Sequence, residues 1–163
     1  MIFVTVGTHE QPFNRLVEYM DNWAAEHAEE VIMQTGFSTY EPKHCEWSKL
    51  YPYSQMVELV EKARIVITHG GPSSFIMPLQ IGKIPIVVPR KKTFDEHVND
   101  HQVEFSKAVA ERQTNIIVVE KVNQIAETIE NYESIVQSMP TAINSNNVVF
   151  NEKLGQIVRE MFS

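Results

Sequence analysis

Short apolar runs that alternate with helical segments constrain the fold of this chain more than any other feature. Five runs rich in apolar residues have the length of buried strands: Ile2–Val6, Val31–Thr35, Ile65–Ile67, Ile84–Val88 and Asn115–Val119. Between them apolar residues recur at helical spacing, which predicts helices after Pro12, around residues 56–63, and over residues 73–81, 97–110 and 122–136. Apolar strands separated by helices are typical of a mainly parallel sheet covered on both faces. We therefore predict an α/β fold, with room for one further strand within residues 36–52.

The composition indicates one globular domain. The chain has 163 residues, of which 43% are hydrophobic and 21% charged, so it can bury a full core. Its formal net charge of −7 argues against nucleic-acid binding, which needs a basic surface. Cys45 is the only cysteine, which excludes an internal disulfide and a cysteine zinc site and favours a reducing, cytoplasmic setting. Neither a signal sequence nor a run of ~20 apolar residues is present, so we expect any membrane role to require a partner.

The C-terminal residues form a separate segment in this interpretation. A polar break at residues 145–147 resembles a short linker, so we place the domain at residues 1–144 and a linker with an amphipathic helix at residues 145–163. Two interpretations of this helix stay open: it packs on its own sheet, or it docks on a partner chain. The helix is predicted from one apolar stripe at helical spacing, formed by Leu154, Ile157, Val158, Met161 and Phe162.

Two loops that contain glycine are expected at the same edge of the sheet. Segment 68–74 (T-H-G-G-P-S-S) joins a strand to a helix, and segment 7–11 (G-T-H-E-Q) follows the first strand. In open parallel sheets ligands bind outside the carboxyl ends of the strands. Glycines let the backbone approach a ligand closely, and the free N–H groups of a helix start attract an anion. The two segments therefore favour a site for a phosphate-bearing ligand.

Other interpretations of the same side chains stay open. The hydroxyls of Ser73 and Ser74 can cap the helix instead of donating to a phosphate. Each histidine can simply satisfy a local hydrogen bond, although His9 and His69, at two strand ends on one edge, also fit a general base.

Metal and dinucleotide sites are less well supported. His97 and His101 have the i, i+4 spacing of a helical metal-binding pair, but no Glu-rich motif accompanies them, and we predict no metal. Neither G-x-G-x-x-G nor a Walker loop is present, so dinucleotide-binding and ATP-hydrolase sites lack their key residues. A Rossmann-type oxidoreductase or a flavodoxin-like regulator is therefore a distant alternative.

Five ordered motifs resemble a known family. They are G-T at 7–8, P-Y-S-Q-M at 52–56, T-H-G-G at 68–71, G-K-I-P at 82–85 and D-H-Q at 100–102. Together they resemble the C-terminal, donor-binding domain of glycosyltransferase family 28, and the likeness covers almost the whole chain. The nearest likeness is to bacterial capsule and exopolysaccharide glycosyltransferase subunits of the PssE and pneumococcal β-1,4-galactosyltransferase type. The resemblance implies a Rossmann-like parallel sheet, as in the C-terminal domain of GT-B enzymes.

The resemblance also implies roles for residues at matching positions. Tyr53 falls where the family pairs its backbone with uracil, and the turn at 70–74 falls where it holds the nucleotide diphosphate. His101 and Gln102 fall where it contacts donor-sugar hydroxyls. His9, in the loop that faces the reaction centre, is the best candidate for the general base, which could equally come from a partner. The implied donor-binding residues are Gly7, Thr8, Tyr53, His69, Gly70, Gly71, Ser73, Ser74, Glu96, His101 and Gln102.

One position departs from the family pattern. The acidic residue that grips the ribose in the family is replaced by Met77, so ribose binding must use another group, such as Glu96 or a backbone amide. No D-x-D pair is present, in keeping with transfer that needs neither a metal nor another cofactor.

Size and charge lead to expectations about partners. The family's full enzymes have two such domains with the active site between them, and 163 residues hold one. We therefore expect the catalytic subunit of a split, inverting enzyme that moves a hexose, for which we favour galactose, from a UDP-sugar to a lipid-linked saccharide. A membrane-anchored companion would supply the acceptor-side domain and hold this cytoplasmic chain at the membrane. Alternatively, the chain binds UDP-sugar, or only the partner, without catalysis. The basic run 90–92 is either a solvated loop or a contact for acceptor phosphates or the membrane surface.

Overall fold

The fold is a parallel, doubly wound α/β sheet. The structure, a computed structural model, describes residues 1–7, 11–94, 100–113 and 115–139, apart from the side chains at 72, 73 and 111–113. In this part of the chain six strands, all parallel, have the order β3-β2-β1-β4-β5-β6. The predicted fold class is thus confirmed, and the further strand within 36–52 is β3. The strands are β1 (Ile2–Thr5), β2 (Val31–Gln34), β3 (Glu46–Ser48), β4 (Ile65–His69), β5 (Ile86–Val88) and β6 (Ile117–Val118).

Helices cover both faces of the sheet. Residues of β1 alternate between the faces: Ile2 and Val4 pack in a cluster with α1 and α5, whereas Phe3 packs with α2. A further cluster joins α3 and α4 through the stacked rings of Phe75 and Phe105. The helices are α1 (Asn14–Glu26), α2 (Tyr53–Lys62), α3 (Pro72–Ile81), α4 (His101–Gln113), α5 (Ile125–Glu130) and α6 (Tyr132–Ser138), with 3-10 turns at Lys92–Phe94 and Val122–Gln124.

Two predicted elements are shorter or broken. The strand expected at 84–88 begins at Ile86, because Pro85 has no N–H to donate to a ladder. The helix expected over 122–136 is a 3-10 turn followed by two helices that meet at Asn131, whose side-chain Nδ2 bonds back to the Glu127 carbonyl. The helix expected over 97–110 is described from His101 onward.

A buried carboxylate ties α1 to the loop that leads into β3. Asp21 is fully buried and accepts hydrogen bonds from the Tyr40 hydroxyl (2.8 Å) and from the backbone N–H groups of Lys43 (3.0 Å) and His44 (2.7 Å). The Cys45 thiol lies 3.6 Å from the same carboxylate. Burial alone would raise the pKa of Asp21, but these donors, led by the His44 N–H, together lower it. Burial, followed by the charge of Asp21, raises the pKa of Cys45 to about 12.

The sheet changes winding direction between β1 and β4. The chain runs outward from β1 through β2 to β3, then returns and continues on the other side through β4, β5 and β6. At such a switch point the loops after neighbouring strands diverge and leave a crevice at the carboxyl edge. The loops after β1 and β4 are the two loops with glycine that the sequence singled out.

Two further expectations concern the remaining chain. The C-terminal segment, with the proposed boundary at 144 and the apolar stripe of 154–162, lies outside the described residues, so both stay predictions. Within the described ranges, each helix is too short or too polar to cross a membrane.

Candidate functional site

A cleft of about 560 Å³ lies at this switch point. It opens between the carboxyl ends of the central strands and the first turns of α2 and α3. Of the predicted site residues, Gly7, Tyr53, His69, Ser74 and Gln102 line it, so the structure brings together residues from four separate segments. Their roles as donor contacts stay predictions. The other residues that line the cleft are Thr5, Gln34, Tyr51, Met56, Val60 and Met77.

The imidazole of His69 lies between two glycines. His69 is the last residue of β4 and is 6% exposed. A Cβ atom added to Gly7 would lie 2.2 Å from His69 Nε2, and one added to Gly71 would lie 2.3 Å from His69 Cε1. Gly7 also has a φ of +72°, which side chains rarely adopt. Both loops therefore need glycine in order to close around this ring.

Hydrogen bonds set the orientation of the His69 ring. The backbone N–H of Gly71 donates to Nδ1 (3.2 Å), and Nε2 lies 2.8 Å from the Ser74 hydroxyl. Because Nδ1 accepts, the neutral ring carries its hydrogen on Nε2 and donates it to Ser74. The Ser74 hydroxyl is then left with its own hydrogen to donate, which suits an anionic oxygen in the cleft.

Ser74 does not cap α3. The helix begins at Pro72, its N-cap is Gly71, and the cap makes no side-chain hydrogen bond. The backbone N–H of Ser74 bonds to the Gly71 carbonyl instead (3.0 Å). The capping interpretation is therefore wrong for Ser74, because Gly71 already occupies the cap position and the Ser74 side chain turns to His69.

Gln102 is held by the neighbouring loop, whereas His101 is exposed. The side-chain oxygen of Gln102 accepts a hydrogen bond from the backbone N–H of Arg90 (3.1 Å). A Cβ atom at Gly70 would lie 2.9 Å from the Gln102 Cβ, so the turn after β4 packs closely on α4. His101 is the first residue of α4 and is not among the residues that line the cleft. The predicted pair thus divides, with one member inside the cleft and the other outside it.

Arg90 supports the loop beside the candidate site, and the sequence interpretation placed it wrongly. It was expected in a solvated or acceptor-facing basic loop, but its side chain is fully buried. Its guanidinium donates to the carbonyls of Val6 and Gln11, both at 2.6 Å, and lies 5.1 Å from the centre of the Phe13 ring. Arg90 therefore holds both ends of the loop that follows β1. The only sequence signal was its position directly after a buried strand and Pro89.

The sequence analysis also did not identify the uncharged residues at the floor of the cleft, Thr5 and Gln34. Thr5 and Gln34 end β1 and β2 in register with each other, and both are buried. The Thr5 hydroxyl accepts a hydrogen bond from the Gly7 N–H (3.3 Å) and donates to the side-chain oxygen of Gln34. The signal in the sequence was a pair of polar residues at the ends of otherwise apolar strands.

Some predicted residues lie outside the described part of the chain. These are Thr8, His9, Glu96 and the side chain of Ser73, so the candidate base stays a prediction. Among the described residues, His, Cys, Asp and Glu side chains form no group of three or more that could hold a metal ion.

A second cleft, of about 520 Å³, lies near the amino ends of the strands. Arg64 is at its side and is paired with Glu29 at 2.6 Å and Glu133 at 2.7 Å. These ion pairs join the segments before β2 and β4 to α6. The carboxyl-edge cleft remains the better ligand site because the switch point and the loops with glycine lie there.

Three solved structures that share this fold are glycosyltransferases. The chain is similar to the glycosyltransferase SnogD from Streptomyces nogalater (15% identity, TM-score 0.52). It is also similar to the kitacinnamycin glycosyltransferase (18%, 0.51) and to CalG4, the calicheamicin glycosyltransferase (16%, 0.55). In each case 98% of this chain is covered, but only 38% of the other chain. At these identities the likeness shows the fold alone, that of the C-terminal half of GT-B enzymes.

The sequence itself matches a family over nearly its full length. No curated protein matches the chain. Residues 1–157, however, match the profile of the glycosyltransferase family 28 C-terminal domain. This match includes both loops with glycine and the whole described sheet. The chain therefore belongs to glycosyltransferase family 28 and carries that family's C-terminal domain.

Proposed function

We propose that this chain is the donor-binding, catalytic subunit of a split, inverting glycosyltransferase. It moves a hexose, for which we favour galactose, from a UDP-sugar to a lipid-linked saccharide in capsule or exopolysaccharide synthesis. The observation that carries the proposal is the cleft at the β1–β4 switch point, where His69, Ser74 and Gln102 converge. The family membership supports sugar transfer.

The two ends of the cleft differ in polarity in the way that a nucleotide diphosphate requires. At the turn after β4, the Ser74 hydroxyl can donate to an anionic oxygen, and the positive end of the α3 dipole lies beside it. At the α2 end, Met56 and Val60 form an apolar wall that suits a base. The diphosphate then lies near Ser74 and the base near α2.

In the proposed reaction the acceptor hydroxyl oxygen attacks the anomeric carbon of the donor sugar. The bond from that carbon to the diphosphate breaks, and its electron pair stays on the UDP oxygen. Donors placed at that oxygen stabilise the developing charge. The acceptor's proton passes to a general base, for which we propose His9 or a group on the partner.

A companion subunit is part of the proposal. The chain spans 38% of the length of the glycosyltransferase structures that it matches, which supports an acceptor-side domain supplied from elsewhere. We propose that a membrane-anchored companion supplies it and holds this chain at the inner face of the membrane.

Calorimetry tests the donor site. The chain is titrated with UDP, UDP-galactose, UDP-glucose and UDP-N-acetylglucosamine. Ser74→Ala should weaken UDP binding about tenfold, which corresponds to one hydrogen bond to a charged group, and should leave uridine binding unchanged. Ser54→Ala, on the exposed start of α2, is the matched control. If UDP does not bind, while NAD(P) or a flavin binds tightly, the transferase proposal fails.

Transfer assays separate catalysis from donor binding alone. The chain is assayed with and without its companion, and His9→Ala is compared with the parent. Loss of transfer with retained UDP affinity supports a catalytic role. Full transfer by His9→Ala would place the base on the companion, and transfer by the companion alone would leave this chain an accessory, donor-binding subunit.

A further inference from the structure

Gln34 has an unusual position on the floor of the cleft. It is the last residue of β2 and is 4% exposed, yet its side chain lines the cleft. A side chain that is nearly buried but opens on a ligand cleft has few conformations to choose from. A ligand would therefore meet it already in place.

A short chain of hydrogen bonds orients the Gln34 amide. The Gly7 N–H donates to the Thr5 hydroxyl oxygen, and that hydroxyl donates its one hydrogen to Gln34. Its acceptor must be the amide oxygen, since the amide nitrogen has no lone pair to offer. The oxygen therefore faces Thr5, and the NH2 group of Gln34 forms no hydrogen bond within the described part of the chain.

The neighbours of Gln34 show where in the cleft it lies. Ile32 and Gln34 lie on the same face of β2, and Ile32 packs with Val60 of α2 in one apolar cluster. Met56 precedes Val60 by one helical turn, toward the carboxyl edge, and lines the cleft with it. Gln34 thus lies beside the apolar wall that Met56 and Val60 form at the α2 end.

We propose that the Gln34 NH2 group donates a hydrogen bond to a ring carbonyl oxygen of the nucleobase, and so makes Gln34 a determinant of base specificity. A flat heterocycle fits between apolar walls, and its carbonyl edge is the part that needs a donor. The NH2 group lies beside this apolar wall, so the partner that suits it is an oxo oxygen on the edge of the flat ring. This inference rests on the proposed function, because it takes the base to be that of a UDP-sugar.

A thio-substitution cycle tests the contact. Binding of UDP, 2-thio-UDP and 4-thio-UDP is measured for the parent and for Gln34→Met, which keeps a similar volume without the donor. Sulfur accepts hydrogen bonds poorly, so the parent should bind one of the thio analogues about five- to tenfold more weakly than UDP. Gln34→Met should bind UDP about as weakly and should lose nothing more with that analogue. The control Gln55→Met, on the exposed face of α2, should behave like the parent.

The outcomes separate this inference from the proposed function. If UDP binds the parent but each thio analogue loses the same factor in the parent and in Gln34→Met, the Gln34 contact is refuted and the donor site stands. If the parent binds no UDP, both proposals fail. Should Gln34→Met not fold, the side-chain NH2 resonances of Gln34 in the parent must shift with UDP and stay in place with inorganic pyrophosphate. Equal shifts with both ligands would overturn the inference.

Discussion

Replacement of Arg90 by methionine tests how the loop after β1 is held. The guanidinium is fully buried and donates to two backbone carbonyls at 2.6 Å, those of Val6 and Gln11. Arg90→Met removes the charge and leaves both carbonyls without this donor. The buried ring of Phe13, 5.1 Å away, loses one of two nearby guanidinium groups and keeps that of Arg15 at 5.3 Å.

The magnitude follows from these contacts. Two hydrogen bonds to a charged donor contribute about 3–6 kcal/mol together. Removal of a buried cation also recovers part of its desolvation cost. We therefore expect the free energy of unfolding to fall by about 3 kcal/mol, which lowers the Tm of a chain of this size by roughly 6–12 °C.

Thermal and urea unfolding, followed by far-UV circular dichroism, measure this change. Arg15→Met is the matched control, because Arg15 also donates to two backbone carbonyls, at 2.9 and 3.3 Å, but from a partly buried position. It should cost about 1 kcal/mol. UDP affinity should fall in Arg90→Met and not in Arg15→Met. If Arg90→Met costs no more than Arg15→Met, the side chain does not hold the loop as argued.

Three further predictions concern other buried contacts. Asp21→Ala leaves two backbone N–H groups unpaired and should lower the free energy of unfolding by about 2–4 kcal/mol at neutral pH. Because the folded pKa of Asp21 lies below 3.8, the stability that its carboxylate contributes is present above that pH and is lost as the pH falls through the folded pKa. The difference between parent and variant should therefore shrink in unfolding curves measured in acid. The pKa of the Cys45 thiol is raised to about 12, so at pH 8 it should react with Ellman's reagent more slowly in the folded chain than in the urea-unfolded chain. The folded Asp21→Ala variant should react faster than the folded parent, because the carboxylate charge is gone. Equal rates in folded and unfolded parent protein would contradict this. Gly7→Ala should abolish UDP binding, because its Cβ would lie 2.2 Å from the His69 ring. Gly82 has a φ of +90° but open space around it, so Gly82→Ala should lower the free energy of unfolding by only about 1–3 kcal/mol through backbone strain and leave UDP binding unchanged.

Local pattern predicted most of the fold. Runs such as Ile65–Ile67 can be buried only between two layers of helices, so they indicated the parallel sheet and its two covered faces. The break at Asn131 was not predictable in this way, because the apolar residues on both sides keep helical spacing while the backbone leaves it for one residue. Pro85 could have shortened the predicted strand, since a missing N–H is visible in the sequence.

The sequence predicted some features of the candidate site and could not predict others. Glycines at 7, 70 and 71 and the polar residues beside them mark strand ends, and in a parallel sheet those ends share one edge, so the sequence predicted a common location for them. It could not show that His69 lies between Gly7 and Gly71, because that depends on two loops separated by more than sixty residues in the chain.

The sequence alone therefore determined the fold class and the edge at which the candidate cleft lies, because strand periodicity and glycine positions are local properties. Tertiary structure alone decided which polar groups face the cleft. In the sequence Arg90 belongs to a basic run that is typical of a surface, yet its side chain is buried and donates to the carbonyls of Val6 and Gln11. In the sequence Gln34 is simply a polar residue at the end of a strand. The register of β1 and β2 places Thr5 beside it, and the Thr5 hydroxyl donates to its amide oxygen, so its NH2 group faces the cleft. Such roles depend on pairs of residues distant in the chain, which only the folded arrangement brings into contact.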